Sequence, residues 1–398
     1  MEKYRIERAE KFLYWFLCII AFFLPLSKAV VNIFLPLATI AFIYRLRYKR
    51  DDILKLIQSY KGIFVVTGIL LGAIFISALS SDVLLVSLKR YFERYFFHAF
   101  TLVSIAAIFY KREKIIFIAK LLLLGAFFSN FAVIVQALPR LSEEVWRFGG
   151  FLGIMPQGTL LAMFLPVYVL LLIHLQEKKL KLASLIAVIV GVAAILFTGT
   201  RGAWLAVLVL LPTIVFIHSK SKFKNLSVLA AAMALIVGLV MMTPALSGRV
   251  ATITDMQMQS NSERLLMWQS AWQMFKDHPV LGIGYGQYAQ AYQTQYISPL
   301  AKEKHLQHAH NNFMQILAEC GLVGFSAFVL MLVYFSYFAL KGWSKEKNIA
   351  YLLYLCILWG MMFHGFTEYN FETSVSSKTF WFALGLCLAY CKKNTATL

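Results

Sequence analysis

Residues Leu182–Gly199 read LASLIAVIVGVAAILFTG, a run with no charged side chain. An α-helix needs about 20 mostly apolar residues to cross the hydrocarbon core of a bilayer, and this run fits that requirement. It is too long for a barrel strand and lacks strand alternation. Thr200 and Arg201 follow, and a second apolar run begins at 202. The motif Thr198-Gly-Thr-Arg-Gly-Ala therefore reads as a tight turn between two membrane spans.

Working outward, spans are expected near 12–26, 29–44, 62–79, 92–109, 115–138, 156–175, 182–199, 202–218, 226–243, 311–340, 348–366 and 377–391. Pro25 and Lys28 stand in or beside the very short first turn. The fold expected is an all-α polytopic membrane protein of about twelve helices. Residues 1–243 hold nine spans, 244–310 form one long loop with short helices, and 311–398 hold three more. The composition agrees. Of 398 residues, 60% are hydrophobic and 14% charged, with mean hydropathy +0.70. No soluble fold has enough interior for that much apolar surface, so a soluble enzyme and a disordered chain are both excluded.

The formal net charge is +19, from 38 Lys and Arg against 19 Asp and Glu. Such a surplus can signal nucleic acid, but here it signals orientation. Basic residues crowd alternate loops: Lys3 to Lys11, Arg45 to Lys61, Lys111 to Lys114, Lys178 to Lys181, Lys220 to Lys224, Lys341 to Lys347, and Lys392 with Lys393. These hold 24 of the 38. With twelve spans they share one side, which the positive-inside rule makes cytoplasmic, with both termini there. No cleavable signal sequence is expected, because more membrane segment follows the first apolar stretch. Cys18, Cys320, Cys356, Cys387 and Cys391 all fall in expected spans and read as small buried hydrophobes.

The loop 244–310 is then expected outside. Ser260-Asn-Ser-Glu263 has capping-box spacing and precedes an amphipathic run through Phe275. Gly282-x-Gly284-x-Gly286 follows no strand, so it reads as a flexible turn, not a dinucleotide site. A loop this long with helices of its own is usually functional.

Two readings compete at each outer charge. Arg201 opens a span, where free N–H groups and the helix dipole favour anions and a guanidinium fork suits phosphate. Alternatively it snorkels to headgroups. Arg264 opens the amphipathic helix beside Glu263 and reads as half of a solvated surface pair. Lys89, Arg90 and Arg94 read as headgroup anchors. His308-Ala-His310-Asn-Asn enters the tenth span. The dipole there disfavours an imidazolium, which leaves His310 able to accept a proton. The two histidines lack a third metal ligand at a recognised local spacing. Glu319 lies within the tenth span, as a functional carboxylate or a helix–helix hydrogen bond. Glu368 and Glu372 follow the eleventh span and read as solvated.

Three blocks together resemble the bacterial O-antigen ligase family, which shares its core with O-antigen polymerases and protein O-oligosaccharyltransferases. They are Thr198-Gly-Thr-Arg-Gly-Ala; Ser262-Glu-Arg-Leu-Leu-Met-Trp continuing through His278-Pro-Val-Leu-Gly-Ile-Gly; and His308-Ala-His-Asn-Asn-Phe-Met-Gln-Ile-Leu-Ala-Glu-Cys-Gly-Leu-Val-Gly324. The resemblance covers roughly 190–340. It implies a metal-independent, cofactor-free inverting glycosyltransferase of the bacterial inner membrane. Such an enzyme moves a glycan from undecaprenyl diphosphate to a lipid A-core sugar on the periplasmic face. By that resemblance Arg201 and Arg264 bind the diphosphate and His310 is the catalytic histidine. It assigns nothing to Lys89, Arg90, Arg94, Arg147 or Glu319. The partners implied are the lipid-linked donor, the lipid A-core acceptor and membrane lipid, with no nucleic acid. Alternatives are a polymerase or protein glycosyl ligase of the same superfamily and, from another class, a transporter or flippase. One dominant outer loop favours the ligase. Ionisable residues gathered at span ends, not the midplane, favour the enzyme over a transporter.

Overall fold

The structure, a computed structural model, describes residues 2–106, 112–142 and 146–391. Lys111, Lys392 and Lys393 lie outside them. Among the described residues the chain is helical throughout and has no strand. This is the expected all-α membrane architecture, in which helices satisfy their own backbone where no water is available.

The first helices are α1 (Glu2–Phe23), α2 (Lys28–Leu46), α3 (Arg50–Ser59), α4 (Lys61–Leu79) and α5 (Leu84–Tyr91). A π-helical turn, Phe92–Phe96, leads into α6 (Phe97–Ala106). Then come α7 (Arg112–Ala137), α8 (Ile154–His174), α9 (Lys178–Thr198), α10 (Arg201–His218) and α11 (Lys222–Met242). The long connection carries α12 (Pro244–Ala251), α13 (Gln259–Asp277) and α14 (Tyr288–Ala291). The chain ends with α15 (Asn312–Glu346), α16 (Ile349–His364) and α17 (Ser374–Cys391).

Eight of these, α2, α4, α7, α8, α9, α10, α11 and α15, are long and apolar enough to cross a membrane. α16 is a shorter apolar helix. The remaining expected spans also fall in helices, namely α1, α17 and the π turn with α6.

Packing separates centre from rim. In α8, 72% of the span is buried; in α11 the figure is 6%, so α11 faces surrounding lipid. α16 packs against α8, α10, α15 and α17, while α4 lies along α15 and α6 along α17. Aromatic rings fill the centre: Phe371, Phe380, Trp381, Phe328 and Tyr95 are fully or almost fully buried, and they meet largely edge to face. In lipid such packing, not hydrophobic exclusion, holds helices together. All five cysteines are free thiols.

This bundle has two functional ends. At one, the ends of α8 and α10 meet α15 through His174, His218 and Trp343. At the other, the starts of α10 and α15, the end of α16 and the connection 244–310 converge.

Candidate functional site

The start of α15 is locked by asparagines. Asn311 caps the helix, its Oδ1 accepting from the Phe313 and Met314 amides at 2.8 and 3.1 Å. Its side chain also donates to the Phe366 carbonyl at 3.0 Å. Asn312 and Asn370 exchange side-chain and backbone hydrogen bonds, 2.8 Å from Nδ2 to Oδ1 and 3.0 Å from the Asn370 amide to Oδ1. The loop after α16 is thereby tied to the residues after His310.

Glu368 is the product of that tie. It is 5% exposed, not solvated as its place after a span suggests. Its Oε2 lies 3.1 Å from His310 Nδ1, and its Oε1 lies 4.0 Å from His308 Nε2. Burial opposes its ionisation, but the His310 hydrogen bond and the nearby histidines hold its pKa down at about 2. Burial, reinforced by His310 alongside, pushes His308 down to about 4.

Tautomers follow from these partners. An ionised Glu368 only accepts, so a neutral His310 carries its proton on Nδ1 and leaves Nε2 with a free lone pair. The His310 amide donates to His308 Nδ1 at 3.3 Å, which places the proton of a neutral His308 on Nε2, toward Glu368. His310 holds a left-handed φ of 48°. This conformation costs a non-glycine residue free energy. The segment is gripped from the outer connection as well, because Trp268 Nε1 of α13 donates to the Ala309 carbonyl at 2.9 Å.

The arginines sit beside this pair in two different ways. Arg201 is 8% exposed and fully engaged. Its Nη1 donates to the Thr252 carbonyl and, at 2.9 Å, to Thr252 Oγ1. Its Nη2 donates to Ser260 Oγ and Asn261 Oδ1, both at 2.9 Å. It thus fastens α10 to the start of α13 and does not snorkel. Arg264 has no hydrogen-bond or ion-pair partner among the described residues. Burial and then Arg147 lower its pKa, while Glu368 opposes them. Arg249 donates to the Gly199 carbonyl at 2.9 Å. Burial, Arg201, Arg147 and Arg264 lower it to about 10. Four guanidinium groups therefore lie within electrostatic reach of one another, with Glu368 the nearby carboxylate. Such a cluster favours an oxygen-rich anion.

The glycine of the Arg-Gly-Ala motif has a packing role. A methyl group on Gly202 would collide with Thr367 Oγ1 and sit 3.3 Å from His364. Only glycine lets the start of α10 approach the loop that carries Glu368.

Several expectations are corrected here. The Ser260–Glu263 capping box does not form: α13 starts at Gln259 behind Met258, Ser260 accepts from Arg201, and Glu263 accepts from the Lys302 amide at 2.7 Å. Both side chains are taken by distant partners, so Glu263 and Arg264 form no surface pair either. The glycine turn is pinned, not free. Gly321 breaks α15 with φ 59° and ψ −159°, and the turn 279–284 fills the break. The Ile283 and Gly284 amides donate to the Ala318 and Glu319 carbonyls at 3.0 and 3.1 Å. In return the Leu322 and Val323 amides donate to Pro279 and Val280 at 2.8 and 3.2 Å. Glu319, fully within this joint, accepts from the Tyr288 amide at 3.0 Å through its carboxylate and from Ser77 Oγ of α4 at 2.7 Å through its backbone carbonyl, so it ties both the connecting segment and a neighbouring helix. Finally, Arg90, an exposed residue, also anchors protein by donating to the Gly286 carbonyl.

A third potential metal ligand also comes from afar. One atom each of His308, His310 and Glu368 lie within 4.8 Å of one another, a spacing able to hold a divalent ion. The structure brings His310, Arg201 and Arg264, singled out in the sequence, into one neighbourhood and adds Glu368, which the sequence alone reads as solvated. An acid directly after a span, on the same side as the histidines, is the signal that was present.

Two comparisons bear on this site. A curated protein of Haemophilus influenzae, described as an uncharacterized protein, is 23% identical over 229 residues, which make up 53% of this chain and 57% of that protein. The chain thus aligns with little more than half of that relative. The family described as O-antigen ligase matches residues 186–329, from α9 to the middle of α15. That stretch includes Arg201, Arg264 and His310. Over this stretch the chain is similar to the O-antigen ligase family.

Proposed function

We propose that the protein transfers a glycan from a polyprenyl diphosphate, undecaprenyl diphosphate in a bacterium, to a sugar hydroxyl of lipid A-core. The site would face the periplasm, and transfer would invert the anomeric centre. The observation that carries this reading is a histidine oriented by a buried carboxylate beside arginines that form no ion pair with an acid among the described residues.

In the proposed step, His310 Nε2 takes the proton of the acceptor hydroxyl. The acceptor oxygen forms a bond to the anomeric carbon as the bond from that carbon to the diphosphate oxygen breaks. The electron pair leaves with the diphosphate. Arg264, with Arg147 beside it, would meet the developing charge, the kind of preorganised stabilisation that dominates many enzymes. Arg201 and Arg249 would shape that pocket. Glu368 would hold His310 in the required tautomer and stabilise the imidazolium. No metal is required, because the arginines supply the positive charge.

The test is transfer in vitro, with purified protein, a defined lipid-linked donor, lipid A-core acceptor and no ion gradient. Product formation is expected. Vectorial movement of donor without transfer would instead favour a transporter. A gene deletion separates the related reactions: polymer kept on the lipid carrier but lost from lipid A supports ligation, and accumulation of single repeats supports polymerisation.

A further inference from the structure

Beside the histidines lies a groove of about 630 Å³ that the reaction above does not use. It runs between α5, residues 307–308 and the loop 369–373. His308 forms part of its wall and has its ring centroid 4.2 Å from that of His310. The groove therefore reaches the ring that packs against the proposed base.

Two charged groups in this groove have no protein partner. Arg94 and Glu372 both line it, and neither makes a hydrogen bond or ion pair among the described residues, including with the other. Their neighbours are committed: Lys89 pairs with Glu93 at 4.0 Å, and Arg90 donates to Gly286. Opposite charges that share a groove without meeting are set to hold a ligand between them. A ligand satisfying both must accept from a guanidinium and donate to a carboxylate. Sugar hydroxyls do both, whereas a simple anion would be repelled by Glu372. At the rim, Leu85 and Val86 expose 80% and 44% of their surface, an apolar lip suited to acyl chains.

We infer that this groove is the acceptor subsite, binding the sugar head of a glycolipid through Arg94 and Glu372 while its lipid lies along the apolar edge of α5. This deepens the proposed function and rests on it. Donor and acceptor would then reach His310 from separate sides, the diphosphate at the arginine cluster and the acceptor sugar past His308.

The test uses Arg94→Ala and Glu372→Gln in full-length protein, with lipid A-core lacking polymer as the probe. Acceptor KM is expected to rise about tenfold or more in each, the scale of one charged hydrogen bond, with donor KM within about twofold of wild type. The retained donor KM doubles as the folding control. Direct binding of the same glycolipid in nanodiscs, with no donor present, is expected to weaken to a similar degree. A rise in donor KM, or an unchanged acceptor KM and unchanged binding, would overturn the subsite. Wild-type protein that binds the glycolipid through Arg94 and Glu372 but never transfers to it would overturn the proposed reaction and leave the binding site standing.

Discussion

The turn between α9 and α10 and the first turns of α13 each contribute one arginine from a family block, and the two arginines are in opposite chemical states. Arg201 directs hydrogen bonds to Thr252, Ser260 and Asn261 and is nearly sealed from solvent. Arg264 has no such partner and lies in the field of Glu368 and Arg147. The same residue type in the same motif set therefore divides into a builder and a free cation. A buried guanidinium with satisfied donors has little left for a ligand, while an unpaired one in a semi-enclosed site attracts any available anion.

Experiments can break this division or sharpen it. The largest effect is expected outside it, at the base: His310→Ala should reduce transfer about 10²–10⁴-fold, with donor binding retained. Near-normal turnover in that variant would remove His310 from the chemistry. Next comes Arg264→Ala, expected to lower kcat about 10²–10³-fold with an unchanged melting temperature in detergent. Arg201→Ala should do the converse. It should melt several degrees lower, because Thr252, Ser260 and Asn261 lose a charged donor, and its residual activity should follow the folded fraction. If Arg201→Ala proves stable but inactive, the two arginines share one role and the division fails.

Glu368→Gln should cost on the order of 10–10²-fold in kcat, the scale of losing a partner that orients a functional histidine, with both KM values little changed. Glu368→Asp should recover part of that loss. The carboxylate also predicts a pH signature. Its pKa is depressed from 4.5 to about 2, so its stabilising effect is fully present above 4.5 and fades as pH falls through 2. The melting difference between wild type and Glu368→Gln should be constant from pH 6 to 8, shrink below about 4.5 and vanish near 2. The smallest effect concerns the cluster of His308, His310 and Glu368. Chelator should leave the transfer rate unchanged, and strong inhibition reversed by added metal would turn that cluster into a metal centre.

The sequence was most legible where chemistry is local. Apolar run length marked the helices, and three blocks marked His310, Arg201 and Arg264. It was least legible where one side chain depends on another far along the chain. Glu368 sits 58 residues from His310 and follows an apolar helix, a place where most carboxylates meet water. The ties from Asn311 to Phe366 and from Asn312 to Asn370 draw it inside. Ser260 and Glu263 misled for a related reason: their spacing favours a local cap, but Arg201 and the Lys302 amide are stronger partners. Arg94 and Glu372 carry no local pattern at all, since the groove they face exists only after α5 folds beside the loop 369–373.

The break at Gly321 has a consequence for isotope exchange. Leu322 and Val323 stand well inside a 35-residue helix, yet their amides are protected by carbonyls of the segment 279–280. Deuterium should enter them at the rate at which that segment lifts, faster than at Phe328 or Met331 further along α15. If the connecting segment moves to admit a donor, bound donor should slow exchange at these two amides and leave the inner half of α15 unaffected. Two mid-helix positions would then serve as a clock for an event outside the membrane.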